Sequence, residues 1–273
     1  MQRGYRFTKE YALYVKKTNQ KSALARTIAS LLSRRRVPLS ICDLGCGDGA
    51  LLRSLISRIG GARVRDVTLV DMTPSLLRLA TLNVRNVVKC PVKAHLARIE
   101  EWIITQRNVA WDVILASHVL YYMRARTEAL RQWADCLSPH GLLVVVARFP
   151  DDDSFQIRRI CRTASARKGG RVLGLHETLK SIANAGLEYR VHSSRAYILL
   201  PEGDVRLFVS RGSKVPLEHN VTARLIKFIG HGTELTVSPV VLRRVSHLLA
   251  TRKTKDGIRL RLHNAVIVAR RRI

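Results

Sequence analysis

With 273 residues, 47% of them apolar, the chain can bury the core of one large α/β domain and still carry an elaborated cap. Lys and Arg outnumber Asp and Glu by 48 to 20, a net +28 that is spread evenly, at 24 against 10 in residues 1–150 and again in 151–273. No run approaches the ~20 apolar residues of a membrane span, the opening MQRGYRFTKEY lacks a signal peptide's apolar core, and cysteines at 42, 46, 90, 136 and 161 form no CxxC pair for zinc.

A cytoplasmic protein is therefore expected, with no membrane partner and no metal. Ser22 to Leu32 reads as an amphipathic helix, with Leu24, Ile28, Leu31 and Leu32 on one face. Arg34-Arg35-Arg36 suits its C-terminal end, and Pro38 stops it. Ahead of it, Tyr11, Tyr14, Asn19 and Gln20 carry more polar-aromatic character than packing requires. Next comes Ser40 to Leu55, SICDLGCGDGALLRSL. Ile41 to Leu44 suits a buried parallel strand, and Ala50, Leu51, Leu52, Leu55 and Ile56 recur with the spacing of a helix face. Between them, Gly45, Gly47 and Gly49 allow a tight turn and close ligand approach at a helix N-terminus. The triplet alone also fits a dinucleotide loop. Asp43, at the carboxyl end of the strand, suits a cationic amino-acid ligand better than a pyrophosphate.

Asp43-Leu44-Gly45-Cys46-Gly47-Asp48-Gly49 resembles the DxGxGxG signature of the class I S-adenosylmethionine-dependent methyltransferases. The resemblance implies a Rossmann-like α/β fold: a seven-stranded, mostly parallel sheet, helices on both faces and an antiparallel C-terminal hairpin. It implies S-adenosyl-L-methionine as cofactor, with Asp43, Gly45, Cys46 and Gly47 around it. In many small-molecule members the leading segment folds over cofactor and acceptor. Residues 1–38 are thus expected to form a helical lid, with Tyr11, Tyr14 and Gln20 toward the acceptor, ahead of a methyltransferase domain over 39–273.

Asp66 to Met72, DVTLVDM, reads as the second strand. Asp71 at its end has the place of an acid that accepts two ribose hydroxyls, with Met72 beside it. Thr73-Pro74-Ser75 opens the following helix, so Asp71 can also serve as a cap there. A third strand is expected over Asn86 to Val92. Relatives place an acid next, beside the adenine, whereas Lys93-Ala94-His95-Leu96 offers none. Trp111 to His118 reads as the fourth strand, and ASHVLYYM resembles the matching stretch of histamine-methyltransferase-like enzymes. That resemblance places Ser117 against the cofactor and His118 at the acceptor; Tyr121 and Tyr122, like Tyr11 and Tyr14, are candidates for shaping the pocket. Neither a [DNS]PP[YFW] tetrapeptide nor a Pro-Cys nucleophile stands here. Exocyclic base amines and pyrimidine carbons thus lose support as acceptors.

Leu142 to Ala147 reads as the fifth strand, after LSPHG. A polar connection is expected from Asp151, then a helix over His176 to Ala185 ending at Gly186. Tyr189 to Leu200 and Leu260 to Val268 fit the final hairpin. Between them, about 201–257 reads as a cap insertion with helices near Ala223–Ile229 and Val240–Leu249.

Three functions follow. The first is methyl transfer to an oxygen or nitrogen atom of a small molecule, with His118 as base or hydrogen-bond partner. The second is an RNA methyltransferase, suggested by the charge; the even spread and the scarcity of aromatics weigh against it. The third is an inactive cofactor-binding relative acting as a subunit.

Overall fold

The structure is a computed structural model that describes residues 9–33, 35, 38–106, 109–163, 174–211, 220–230 and 239–272. Two helices lead, α1 (Lys9–Lys17) and α2 (Gln20–Leu32). Alternating units follow: β1 (Leu39–Leu44), α3 (Ala50–Ile59), β2 (Val64–Asp71), α4 (Pro74–Arg85), β3 (Val92–Leu96), α5 (Ile99–Ile103), β4 (Trp111–Ser117), α6 (Arg126–Asp135) and β5 (Leu137–Arg148). The second half runs α7 (Asp153–Thr163), α8 (Leu175–Asn184), β6 (Leu187–Leu200), α9 (Glu202–Arg211), α10 (Val221–Gly230), α11 (Pro239–Ala250), β7 (Lys253–Thr254) and β8 (Gly257–Arg271).

The sheet order is β3-β2-β1-β4-β5-β8-β6, with the short β7 paired to β8. Pairing is parallel from β3 to β5 and antiparallel for β8 and β6. The order reverses between β1 and β4, and such a switch opens a crevice at the carboxyl ends of the strands. All six residues of β1 are buried, including the polar Ser40 and Asp43 among its apolar residues. On one face α2, α3 and α4 pack over β1, β2, β4 and β5 through Leu24, Ile28, Leu52, Leu55, Ile56 and Leu77. Each such Leu or Ile contributes about 1.5–3 kcal/mol when fully buried. On the other face, Trp102, Leu130, Trp133 and Ile182 cover the sheet from α5, α6 and α8. A third apolar cluster joins α7, α9, α10 and α11 to the carboxyl end of β6 and the start of β8, with Tyr14 of α1 packed in. Among the described residues no helix is long and apolar enough to cross a membrane.

Two sequence expectations need correction. The third strand is Val92–Leu96, not Asn86–Val92. Pro91 has no amide hydrogen to give to a ladder; it instead accepts from Val67 through its carbonyl, 3.0 Å away, and the paired strand starts after it. Lys93 to Leu96 therefore lie in β3 rather than behind it. The stretch after Asp151 is not merely a connection. It enters α7 at once, because Asp152 Oδ1 accepts the Phe155 amide at 2.8 Å and caps the helix.

Candidate active site

The glycine stretch turns beneath β1 with positive φ at Gly45 (70°), Gly47 (55°) and Gly49 (70°). The amides of Gly45 and Cys46 both reach the Val70 carbonyl, at 2.8 and 3.1 Å, which ties the loop to the end of β2. A Cβ on Gly47 would meet only the Tyr11 hydroxyl, 3.5 Å away, so the front of this residue is open to a ligand. Cys46 is buried beside it, and Met72 is 44% exposed at the rim.

Two acids face this loop. Asp71 Oδ2 accepts the Gly47 amide at 2.9 Å and Oδ1 accepts the Thr73 amide at 2.8 Å. Each oxygen keeps a lone pair, so a pre-oriented carboxylate remains for two hydroxyls. Asp43 is 3% exposed, and no hydrogen bond to its carboxyl is found among the described residues. Burial pushes its pKa up to about 7; Lys21 opposes the rise, while Asp71 and Asp48 add to it. A buried acid without a donor is complementary to a cation. An ammonium end, a sugar diol and a close backbone approach are thus all provided for, and these residues fit S-adenosyl-L-methionine.

Helices α1 and α2 roof the loop. Lys21 pairs with Asp48 and also donates to the Tyr11 hydroxyl at 2.8 Å. Their junction is pinned to β6: Thr18 donates to the Tyr197 carbonyl at 2.8 Å, and Asn19 Oδ1 accepts the Tyr197 amide at 2.9 Å. The Tyr14 ring lies 5.3 Å from that of Phe228 in α10.

β4 ends at Ser117, and the His118 amide reaches Val146 of β5 at 3.3 Å. His118 has φ 58°, the one positive value outside glycine among the described residues. Such strain collects at functional sites. Its Nδ1 bonds the Tyr121 hydroxyl, and its Nε2 lies 3.2 Å from Gln20 Nε2. Gln20 also takes the Tyr14 hydroxyl at 2.8 Å and reaches Asn264 Oδ1 at 2.8 Å. Burial, then Arg148, Arg158 and Lys21, hold the His118 pKa well below the usual histidine value. His118 is therefore a neutral, hydrogen-bonded residue. The structure thus brings Tyr14, Gln20 and His118 together. Tyr11 instead stands over the glycine loop, and Tyr122 is 46% exposed with its ring against Tyr121.

Tyr121, a pocket candidate from the sequence, joins this neighbourhood, and Arg148, Asn264 and Lys21 complete it without having been singled out as site residues. Only Tyr121 carried a local signal, its place in ASHVLYYM; Arg148 and Asn264 arrive by strand pairing, Arg148↔Asn264.

A family model described as a methyltransferase domain matches residues 16–188. The malonyl-[acyl-carrier protein] O-methyltransferase of Halalkalibacterium halodurans is 26% identical over 203 residues, 70% of this chain and 73% of its own. Among solved structures, the YcgJ protein of Bacillus subtilis aligns with TM-score 0.56 at 14% identity, over 92% of this chain and 99% of its own. The plantazolicin methyltransferase BpumL, solved with S-adenosylhomocysteine (SAH), aligns with TM-score 0.52 at 14% identity, over 97% of this chain and 90% of its own.

Proposed function

The chain belongs to the methyltransferase-domain family and is a class I, S-adenosyl-L-methionine-dependent methyltransferase; from that premise we propose that its acceptor is an oxygen or nitrogen atom of a small molecule. When bound, the cofactor supplies a methyl group on a sulfonium with a neutral leaving group, so alignment provides much of the acceleration. In this reading Asp43 faces the ammonium, Asp71 holds the ribose, and Cys46, Gly47, Met72 and Ser117 line the remainder. Of the expected lid over 1–38 and cap over about 201–257, the described parts act as lid (9–33, 35 and 38) and cap (201–211, 220–230 and 239–257); the rest of both ranges lies outside the described residues.

The observation that carries the reading is the roof over the reacting end. Gln20 closes directly onto His118 and Asn264, Tyr14 backs it through its hydroxyl, and both are buried. A space shut by side chains at that depth suits a compact acceptor better than a polynucleotide. The names of the malonyl-[acyl-carrier protein] and plantazolicin enzymes agree with it. His118, with its nitrogens on Tyr121 and Gln20, orients those two groups at the acceptor end. The net +28 supports RNA as a second acceptor class. Transfer of radiolabelled methyl to total metabolite extract and, separately, to total RNA decides between them. Label confined to RNA would overturn the small-molecule reading.

A further inference from the structure

Eight buried side-chain polar atoms find no hydrogen-bond partner among the described residues, and three of them are neighbours: Arg148 Nε, Asn264 Nδ2 and Ser194 Oγ. Arg148 pairs with Asn264 across β5 and β8, and Asn264 pairs with Ser194 across β8 and β6. Directly paired residues point to the same face of a sheet. The three therefore form one lateral row, and Gln20 ties that row to His118. Unpaired buried polar atoms each cost free energy, so a cluster of them beside the reacting end marks a place for a ligand.

Cations outnumber carboxylates there: Arg148, Arg158 and Lys21 stand against Asp152, paired with Arg148, and Asp48, paired with Lys21. Asp152 is the carboxylate facing Arg148, yet it is spread over four donors. Its oxygens accept the amides of Phe155 and His263 at 2.8 Å each and the Ser154 hydroxyl, leaving Arg148 at 3.4 Å. Arg158 stacks over Tyr121, its guanidinium carbon 5.9 Å from the ring centre, and has no ion pair among the described residues. Burial, then the neighbouring Arg148, pull the Arg158 pKa down to about 10. Lys21 adds a third cation toward His118. Partly buried cations in surplus call for an anion.

Among the described residues no free base accompanies them. Both nitrogens of His118 are engaged, and burial raises the pKa of Tyr121 and Tyr122. Such a site suits a nucleophile that has already lost its proton. Resting on the small-molecule reading, we infer that the acceptor is a carboxylate, gripped by Arg148, Arg158 and Asn264. One carboxylate lone pair forms the O–CH3 bond as the S–CH3 bond breaks, and that bond's electron pair stays on sulfur. The products are a neutral methyl ester and SAH, with no proton to remove.

Calorimetric titration of the SAH-saturated full chain with hexanoate and with hexylamine tests the subsite. Hexanoate should bind and hexylamine should not. Arg158→Gln should weaken hexanoate at least about tenfold, as expected for a lost charge-assisted bond. Asn264→Asp, which sets a carboxylate among the guanidiniums, should do the same. Both variants should keep SAH affinity within about threefold, which also reports folding. Absence of hexanoate binding, equal binding of hexylamine, or hexanoate affinity unchanged in both variants would overturn the inference. The chemistry of the transferred methyl separates the two levels. Alkali-labile label on metabolites supports the carboxylate. Alkali-stable label on metabolites overturns it while the small-molecule reading stands. Label on RNA alone overturns both.

Discussion

Replacing Asp43 by Asn should stabilise the empty protein and weaken its hold on the cofactor. The carboxyl is buried without a donor, and its pKa moves from 3.8 to about 7. With about 1.4 kcal/mol for each tenfold change, the difference corresponds to roughly 4 kcal/mol. The sign follows from proton counting. Between pH 4 and 7 the folded chain keeps a proton that the unfolded chain has lost, so this residue's contribution declines as pH rises through about 7. Above that the full cost is present. At pH 8 the Asp43→Asn chain should therefore resist urea better, by about 2–4 kcal/mol, and this advantage should shrink toward pH 4 by ~1.4 kcal/mol per unit. SAH reverses the order, because its ammonium pairs with the ionised carboxylate. Wild-type affinity should fall up to about tenfold per pH unit below 7, and Asp43→Asn should bind weakly at every pH. Urea midpoints with and without SAH at pH 5, 6.5 and 8 measure all of this. A variant no more stable than wild type at pH 8 without ligand, or one with undiminished SAH affinity, would refute the reasoning.

Asp71→Ala removes the acceptor for the Gly47 and Thr73 amides as well as the ribose ligand, so SAH affinity should drop about 100-fold or more by calorimetry; unchanged affinity would take Asp71 out of the cofactor site. Two glycines should separate in kind. A Cβ on Gly49 would come within 2.7 Å of Ala80 Cα, so Gly49→Ala should lower stability by about 2–5 kcal/mol, whereas Gly47→Ala should lose SAH affinity out of proportion to its smaller backbone cost of about 1–2 kcal/mol. His118→Asn keeps a residue that tolerates positive φ; turnover should fall about 10- to 100-fold with SAH affinity within threefold, and loss of SAH binding would instead show that the residue holds the loop.

The cofactor end of the site was readable because it is local. Asp43 and the glycines occupy seven consecutive residues, and Asp71 ends the next strand. The fourth strand was legible to within one residue: it ends at Ser117 rather than at the expected His118, whose positive φ breaks the extended run. The acceptor end was only half legible. Gln20 and Tyr14 stood out as polar groups in an otherwise packing segment. Arg148 and Asn264 did not, since Arg148 is the last residue of its strand, Asn264 follows Arg259, Arg261 and His263 in a strand with several polar residues, and the two meet only through β5–β8 register. Helix α7 escaped for a related reason. DSFQIRRICRT is polar on average, its apolar face rests on Ile157, Ile160 and Cys161 within a run of acids and arginines, and its start depends on the Asp152 cap. The third strand was misplaced because NVV carries β-branched residues while Pro91 hides the true boundary.

Strand β8 is wedged between β5 and β6, and β6 meets the rest of the sheet only through it. This gives the order of synthesis a structural meaning. On the ribosome, β5 and β6 emerge before their shared neighbour. Until then β5 presents an open parallel edge, and β6 has no ladder to join, the kind of exposed edge that recruits other chains. The parallel half and its glycine loop can form in that interval, but Asn264 has not yet been made. A nascent chain would therefore acquire its cofactor end first and its acceptor end last. A chaperone acting on this protein would find its substrate in that window, with the β5 edge as the surface to shield.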